Sequence, residues 1–122
     1  MKVLLVDDEK DFVAALSERL ELRGIEADVE TDGESALKRI ESDPPQVVVL
    51  DVMMPGVGGV EVMRRIKIKH PNLPVLLLTG HGSISEGSVG KAQGAFDYLA
   101  KPIDIDELIV KMKEALKAGG RR

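Results

Sequence analysis

The 122-residue chain contains no cysteine and no tryptophan. Without cysteine it can form neither a disulfide framework nor a thiolate metal site. Its longest apolar runs, residues 47–50 and 75–78, are far shorter than the roughly 20 residues that cross a bilayer. The apolar run at residues 3–6 is followed at once by acidic residues, so no signal peptide is predicted. We therefore expect a cytoplasmic protein that makes no membrane contact.

Basic residues are also few, with 17 lysines and arginines against 21 acidic residues and a net charge of −4. Proteins that bind nucleic acids usually carry clustered lysine and arginine, so direct binding to nucleic acid is not predicted. The aromatic residues are limited to Phe12, Phe96 and Tyr98. We therefore expect an aliphatic core. We also expect a single domain, because about 100 to 150 residues is the commonest domain size.

The pattern that is present is an alternation of five short apolar runs with five segments of helical periodicity. Continuous apolar strands that alternate with helices indicate a parallel sheet covered on both faces. We predict one doubly wound α/β domain at residues 1–118, with five strands and five helices on two faces, followed by a short tail at 119–122. The five runs occupy residues 3–6, 25–29, 47–50, 75–78 and 95–99.

Local signals predict where the helices begin and end. Thr31 with Glu34, and Asp104 with Glu107, have the spacing of a capping box, in which side chains satisfy free N–H groups of the first turn. Each pair therefore predicts the start of a helix. Helix ends are predicted near the breakers Gly24, Pro44, Pro45 and Pro71.

The fourth helical segment, residues 83–93, differs from the others. It contains Gly87 and Gly90, each of which costs about 1 kcal/mol relative to alanine inside a helix. It also has few large apolar residues. We therefore predict that this helix is the least stable element and lowers the order of its face in the resting protein.

Polar residues follow the predicted strands where the strands end. Asp7 and Asp8 follow the first strand, Asp51 the third, Thr79 the fourth and Lys101 the fifth. In an open parallel sheet, ligands bind beyond the carboxyl ends of the strands, where the strand order reverses. With the common order 2-1-3-4-5, the first and third strands are neighbours at that point. Three carboxylates are then expected to meet beside a hydroxyl and an ammonium group.

Such a group of carboxylates has a defined chemistry. At separations of about 4 Å they repel by roughly 4 kcal/mol per pair at an effective dielectric constant near 20, so the cluster needs protons or a cation. Oxygen ligands without histidine or cysteine favour Mg²⁺. A magnesium ion that faces a lysine across a small gap is suited to binding a phosphoryl group. A carboxylate at that gap could itself attack phosphorus.

Four segments in this order resemble the response-regulator receiver domains of two-component signalling. The resemblance covers essentially the whole chain and is closest in motif to receivers of the nitrogen-regulatory class. It implies a flavodoxin-like fold and a phosphorylation-dependent switch that is not a turnover enzyme, although it catalyses its own phosphotransfer and slow autodephosphorylation. The segments are VLLVDDE at residues 3–9, VVLDVMMPG at 48–56, LTGHG at 78–82 and GAFDYLAKP at 94–102.

The resemblance also implies which residues form the site. Asp51 would be the phosphoacceptor, which takes a phosphoryl group from a histidine of a sensor histidine kinase. Asp7 and Asp8 would hold Mg²⁺ together with Asp51 and the backbone carbonyl of Met53. Lys101 would pair with the phosphoryl oxygens.

On the output side, the resemblance implies that Thr79 moves to hydrogen-bond the phosphoryl group and that Tyr98 swings inward behind it. The peptide bond between Lys101 and Pro102 would be cis. The face formed by the fourth helix, the fifth strand and the fifth helix would then change. That face would address a downstream effector or a fused output domain, or form a phosphorylation-dependent homodimer.

The chain departs from the family pattern in two places. Gly58 occupies a position where aspartate is common, which predicts the loss of a local helix cap and not of the chemistry. The fourth helix departs furthest, which leaves open the partner that the output face recognises.

Other interpretations remain open from the residues alone. The acidic residues 7–9 could be a helix N-terminus stabilised by its dipole, Asp51 and Thr79 could be turn residues, and Lys101 could be a surface charge. A Mg²⁺-dependent phosphatase of the haloacid-dehalogenase type would also use an aspartyl nucleophile, although its Asp-x-Asp arrangement after the first strand is missing here. A pseudo-receiver would use the same face without phosphorylation. Neither histidine is predicted to bind a metal.

Overall fold

The computed structural model describes residues 1–80, 88–91 and 93–119. Over these residues strands and helices alternate as the apolar runs predict. Within these ranges, no helix has both the length and the apolar character that a membrane span requires. The elements are β1 (Lys2–Val6), α1 (Lys10–Glu21), β2 (Glu26–Glu30), α2 (Gly33–Ser42), β3 (Val47–Asp51), α3 (Gly59–Lys69), β4 (Val75–Thr79), α4 (described over 88–91), β5 (Asp97–Ala100) and α5 (Ile105–Gly119).

The five strands of the described residues form one sheet in the order β2-β1-β3-β4-β5, and every neighbouring pair is parallel. This confirms the predicted doubly wound, flavodoxin-like fold. Val6 at the end of β1 pairs with Leu50, and Asp51 at the end of β3 pairs with Leu78. The carboxyl ends of the three central strands therefore lie side by side at one edge of the sheet.

Each face of the sheet has its own apolar core. On β1, Val3 and Leu5 belong to the core beneath α1 and α5, whereas Leu4 and Val6 belong to the core beneath α2 and α3. All four residues are at most 1% exposed. Strands β3 and β4 are buried along their whole lengths. Apolar burial contributes about 25 cal/mol per Å² to the stability of the folded state. The buried central strands therefore hold the strand ends, which carry the polar residues, in fixed positions.

Of the two predicted capping boxes, the capping residue of one is confirmed and that of the other is wrong. Asp104 caps α5, since its Oδ1 accepts hydrogen bonds from the N–H groups of residues 106 and 107 at 2.9 and 3.2 Å. For α2 the cap is Asp32 and not Thr31. Asp32 has an extended backbone and its Oδ1 accepts from the N–H of Ser35 at 2.8 Å. The helix begins one residue later than predicted, so the aspartate occupies the N-cap.

Other element boundaries agree with the predictions to within a few residues. Helices α1, α2 and α3 end shortly before the predicted breakers. Strand β5 begins two residues into its apolar run, because Ala95 is bound to α4 by a hydrogen bond from its N–H to the Gly90 carbonyl at 3.1 Å. Helix α5 continues through Gly119, one residue past the predicted domain end, and the remaining tail residues 120–122 lie outside the described residues.

The described part of α4 gives Gly90 a packing role. A Cβ atom at Gly90 would lie 2.2 Å from Cδ1 of Leu77 on β4. Glycine therefore lets the helix approach the sheet more closely than any larger residue would allow. Gly87, the other glycine behind the stability prediction, lies outside the described residues, and the low stability of this helix stays a prediction.

Candidate functional site

Among the described residues, the buried polar side chains lie where the central strands end. Asp7 directly follows β1, Asp51 is the last residue of β3 and Thr79 is the last residue of β4, and each is at most 3% exposed. Because polar groups are seldom buried without partners or a function, this convergence marks the edge of the sheet as the candidate site. It is the edge that the strand-end residues predict.

Three carboxylates come together at this edge. One carboxylate oxygen from each of Asp7, Asp8 and Asp51 lies within 4.8 Å of the others. Asp7 Oδ1 accepts the N–H of Glu9 at 2.9 Å, and Asp51 Oδ1 accepts the N–H of Met53 at 3.2 Å. The other oxygens, Oδ2 of Asp7 and Oδ2 of Asp51, lie 2.8 and 3.8 Å from the Lys101 ammonium.

The donor set fits a hard divalent cation. Asp7 Oδ2 is buried and lies 2.8 Å from the Lys101 ammonium, so a divalent cation would compete with that ammonium for this oxygen. Carboxylate oxygens with no nitrogen or sulfur donor are the ligands that Mg²⁺ prefers. The three aspartates can therefore hold such an ion. The Met53 side chain is 58% exposed, and the predicted role of its carbonyl stays a prediction.

The ionisation of Asp51 is strongly perturbed. Burial, followed by the neighbouring charge of Asp7, raises its pKa to about 7, while Lys101 opposes the shift. The pocket therefore favours a proton on Asp51 when no cation is bound. A divalent cation would remove that preference by supplying positive charge to the same oxygens.

Lys101 provides the ammonium group at the site. Its Nζ lies 2.8 Å from Asp7 Oδ2, 2.6 Å from Glu9 Oε1 and 3.8 Å from Asp51 Oδ2. Burial acts to lower the pKa of Lys101, but the hydrogen bonds and charges of these carboxylates outweigh it and raise the pKa. The Lys101–Pro102 peptide bond is cis. Lys101 is therefore a charged, largely buried neighbour of the carboxylates.

Thr79 lies on the β4–β5 side of the same edge, and Tyr98 lies on β5 beside Leu77, two residues before the strand ends. The Thr79 hydroxyl donates to the Leu99 carbonyl at 3.3 Å, so it is directed at β5 and away from the carboxylates. Tyr98 is half-buried and packs against the core beneath α2 and α3. The structure thus brings Thr79 to the edge, and the movements predicted for both residues stay predictions.

Sequence reasoning missed Glu9, Phe12 and Gly59. Glu9 and the Phe12 ring, whose centroid is 4.5 Å from the ammonium, both contact Lys101. Sequence spacing carries no signal for a contact between residues 92 positions apart. A Cβ atom at Gly59 would lie 2.1 Å from the Asp51 carbonyl oxygen, so glycine lets α3 begin against the end of β3.

Two other sequence predictions concern this region. Gly58 is the N-cap of α3 and provides no side-chain hydrogen bond, which confirms the predicted loss of a cap. His70 lies 3.5 Å from Glu41 at the far end of α3, away from the strand ends, whereas His81 lies outside the described residues.

Comparisons with known proteins agree on one family. A model of the family "Response regulator receiver domain" matches residues 3–113. The response regulator MprA of Mycolicibacterium vanbaalenii is 40% identical over 117 residues, which are 96% of this chain and 51% of that protein. MprA of Mycobacterium tuberculosis is 39% identical over the same share. The chain thus spans about half the length of the curated relatives it matches.

Solved structures give the same result. The receiver domain of NtrX from Brucella abortus superposes with a TM-score of 0.89 at 35% identity, covering 94% of this chain and 98% of that one. The receiver domain of the Francisella response regulator 1452 gives a TM-score of 0.86 at 34% identity, covering 95% and 96%. The match to NtrX is consistent with the expected likeness to nitrogen-regulatory receivers.

Proposed function

Because the chain belongs to the response regulator receiver domains, we propose that it is a phosphorylation-dependent signalling switch whose phosphoacceptor is Asp51. Response regulators receive their phosphoryl group from sensor histidine kinases, and such a kinase is the proposed donor. The observation that carries the proposal is the cluster of Asp7, Asp8 and Asp51 within 4.8 Å, faced by Lys101. We assign this function to a receiver unit at residues 1–118.

Asp7, Asp8 and Asp51 are the proposed Mg²⁺ ligands, joined by the backbone carbonyl of Met53. When bound, the ion would offset the negative charge of the carboxylates and of the incoming phosphoryl oxygens. This assignment is supported by the burial of Asp7 Oδ2, which already faces a cationic group, the Lys101 ammonium, at 2.8 Å. It is also supported by the raised pKa of Asp51, because burial and the charge of Asp7 disfavour the ionised carboxylate that a bound cation would favour.

In the proposed transfer, an ionised Asp51 oxygen attacks phosphorus and the bond from phosphorus to the donor histidine breaks. The electron pair of that bond leaves with the histidine, and an acyl phosphate forms on Asp51. The carboxylate must be unprotonated to attack, so its neighbours control the reaction. Lys101 would pair with phosphoryl oxygens. Later attack of water on phosphorus would break its bond to the Asp51 oxygen, release inorganic phosphate and leave a free carboxylate.

The switch is proposed to run through Thr79 and Tyr98. The phosphoryl group adds about −1.5 to −2 charges and strong acceptor oxygens at the end of β3. These acceptors would compete with the Leu99 carbonyl for the Thr79 hydroxyl, now 3.3 Å from it. Tyr98 would follow inward and change the face formed by α4, β5 and α5. A downstream effector, a fused output domain or a second copy of the chain would bind that face.

The test is incubation with Mg²⁺ and a small acyl-phosphate donor, followed by intact mass spectrometry. One phosphoryl adduct is expected on the parent protein and none on Asp51→Asn. Absence of an adduct on the parent, or equal adducts on both, contradicts the proposal. Sustained hydrolysis of a generic phosphomonoester would instead indicate a phosphatase. Mg²⁺ binding without any adduct would indicate a pseudo-receiver.

A further inference from the structure

Glu9 occupies the N-cap of α1 but does not cap the helix. Its side chain makes no hydrogen bond to the first turn. Aspartate, asparagine, serine and threonine at this position commonly accept an N–H group of that turn, and glutamate is not among these preferred caps. Here the Glu9 carboxylate is directed across the site, where Oε1 lies 2.6 Å from Lys101 Nζ. The Glu9 side chain therefore links two distant segments of the chain and does not stabilise the start of its own helix.

Lys101 is held on the α1 side of the pocket. Its ammonium lies within 2.8 Å of Asp7 and Glu9 but 3.8 Å from Asp51, which is beyond hydrogen-bonding distance. The Phe12 ring of α1 packs against the same ammonium at 4.5 Å, a cation–π contact that adds to the preference for this side. The position of the lysine is therefore set by α1 and the end of β1, and not by the phosphoacceptor.

We propose that Glu9 is a positioning residue that holds Lys101 away from Asp51 and competes with the phosphorylated Asp51 for its ammonium group. The inference rests on the proposed function. The Glu9 side chain is 63% exposed, whereas that of Lys101 is 15% exposed, so Glu9 lies on the solvent side of the pair. Ion pairs with one exposed partner are weak, which sets the expected effect at about two- to fivefold.

The same contacts give Glu9 the opposite effect on a cation. Lys101 also pairs with Asp7, one of the three carboxylates that fit a divalent ion. When Asp7 is engaged by a cation, Glu9 remains as a partner for the displaced ammonium. Without Glu9, Lys101 would compete more strongly for Asp7. Loss of Glu9 should therefore weaken cation binding and strengthen binding of a phosphoryl group.

The experiment measures two affinities by calorimetry on the full chain. One is for Mg²⁺ alone, and the other is for beryllofluoride, a phosphoryl analogue, at saturating Mg²⁺. Glu9→Gln is expected to bind beryllofluoride about two- to fivefold more tightly and Mg²⁺ about two- to fivefold more weakly. Glu9→Asp keeps the charge but shortens the side chain, so both affinities should shift in the same directions. Asp11→Asn, an acidic residue in the first turn of α1, is the control and should leave both unchanged.

A double-mutant cycle separates the contact from the general effect of charge. If Glu9 acts through Lys101, Glu9→Gln should leave Mg²⁺ affinity unchanged in a Lys101→Met background. A full effect in that background, or a Glu9→Asp variant that behaves like the parent, overturns the inference. If the parent itself bound no Mg²⁺ and formed no Asp51-dependent adduct, the proposed function would fail instead. Thermal unfolding of each variant verifies that it is folded.

Discussion

The β1–β3 side and the β4–β5 side of the site differ in how they are held. On the first side, the Lys101 ammonium lies near the carboxylates of Asp7, Glu9 and Asp51, and burial raises the pKa of Asp51 to about 7. On the second side, the uncharged Thr79 already has a partner, the Leu99 carbonyl. The first side is thus under electrostatic repulsion that a bound ligand relieves. On the second side, the Thr79 hydroxyl is already hydrogen-bonded, so we expect it to move only when a stronger acceptor is present.

The two sides also differ in how tightly a helix packs against them. On the first side, α3 begins against backbone atoms, because Gly59 faces the carbonyl of Asp51 and Cα of Val52. On the second side, the atom nearest to a Cβ at Gly90 of α4 would be the side-chain Cδ1 of Leu77 and not a backbone atom. We therefore expect changes near the carboxylates to have larger effects than equivalent changes near α4.

The largest expected effect is that of Gly59→Ala. The added Cβ would lie 2.1 Å from the Asp51 carbonyl oxygen and 2.7 Å from Val52 Cα, and backbone atoms cannot rotate away. We expect the free energy of unfolding to fall by about 3 kcal/mol in urea titrations. Gly58→Ala is the matched control, since its Cβ would meet only an ordinary contact at 3.8 Å. Equal losses for both variants would contradict the packing argument.

A smaller effect, of opposite sign, is expected for Asp51→Asn without metal. The pKa of Asp51 rises from 3.8 to about 7 on folding, so the folded state holds a proton that the unfolded state releases between pH 4 and 7. Its contribution to stability is complete below pH 4 and is lost as the pH rises through 7. With chelator at pH 8, the variant should be about 2 kcal/mol more stable than the parent.

The check is urea unfolding from pH 4 to 8 in chelator. The parent should lose stability relative to Asp51→Asn across this range, and Mg²⁺ should restore it in the parent alone. Glu26→Gln, an exposed change on β2, serves as the control. If stability depended on pH in the same way in the parent and in Asp51→Asn, ionised Asp51 would not destabilise the folded state.

The smallest expected effect is that of Gly90→Ala on the α4 side. Its Cβ would lie 2.2 Å from Leu77 Cδ1, the end of a buried side chain, which shifts at a lower cost than backbone atoms do. Alanine also gains about 1 kcal/mol in helix propensity over glycine, which offsets part of the clash. We expect a net loss of about 1 kcal/mol in the same urea titrations. If Gly90→Ala lowered the free energy of unfolding as much as Gly59→Ala does, the proposed difference in helix packing between the two sides would be wrong.

Much of this arrangement could be predicted because it depends on local patterns. Apolar runs locate the strands, and the residue after each run locates Asp7, Asp51 and Thr79, since parallel strands end at one edge. Contacts between distant segments could not be predicted, because the pairing of Glu9 with Lys101 depends on where β5 leaves the sheet. The mistaken cap has a simpler reason, since two adjacent residues have capping chemistry and only backbone geometry chooses between them.

The hydrogen bond from the Lys101 N–H to the Thr79 carbonyl, 2.7 Å long, joins the main chains of the two residues that would contact a phosphoryl group. Under the proposed function, a change in the position of β5 would therefore move the main chain of Lys101 as well as that of Thr79. Thermodynamic linkage is reciprocal. A partner that binds the β5 face more tightly after phosphorylation must stabilise the phosphorylated form by the same factor, so the amount of output partner would help to set the amount of signal.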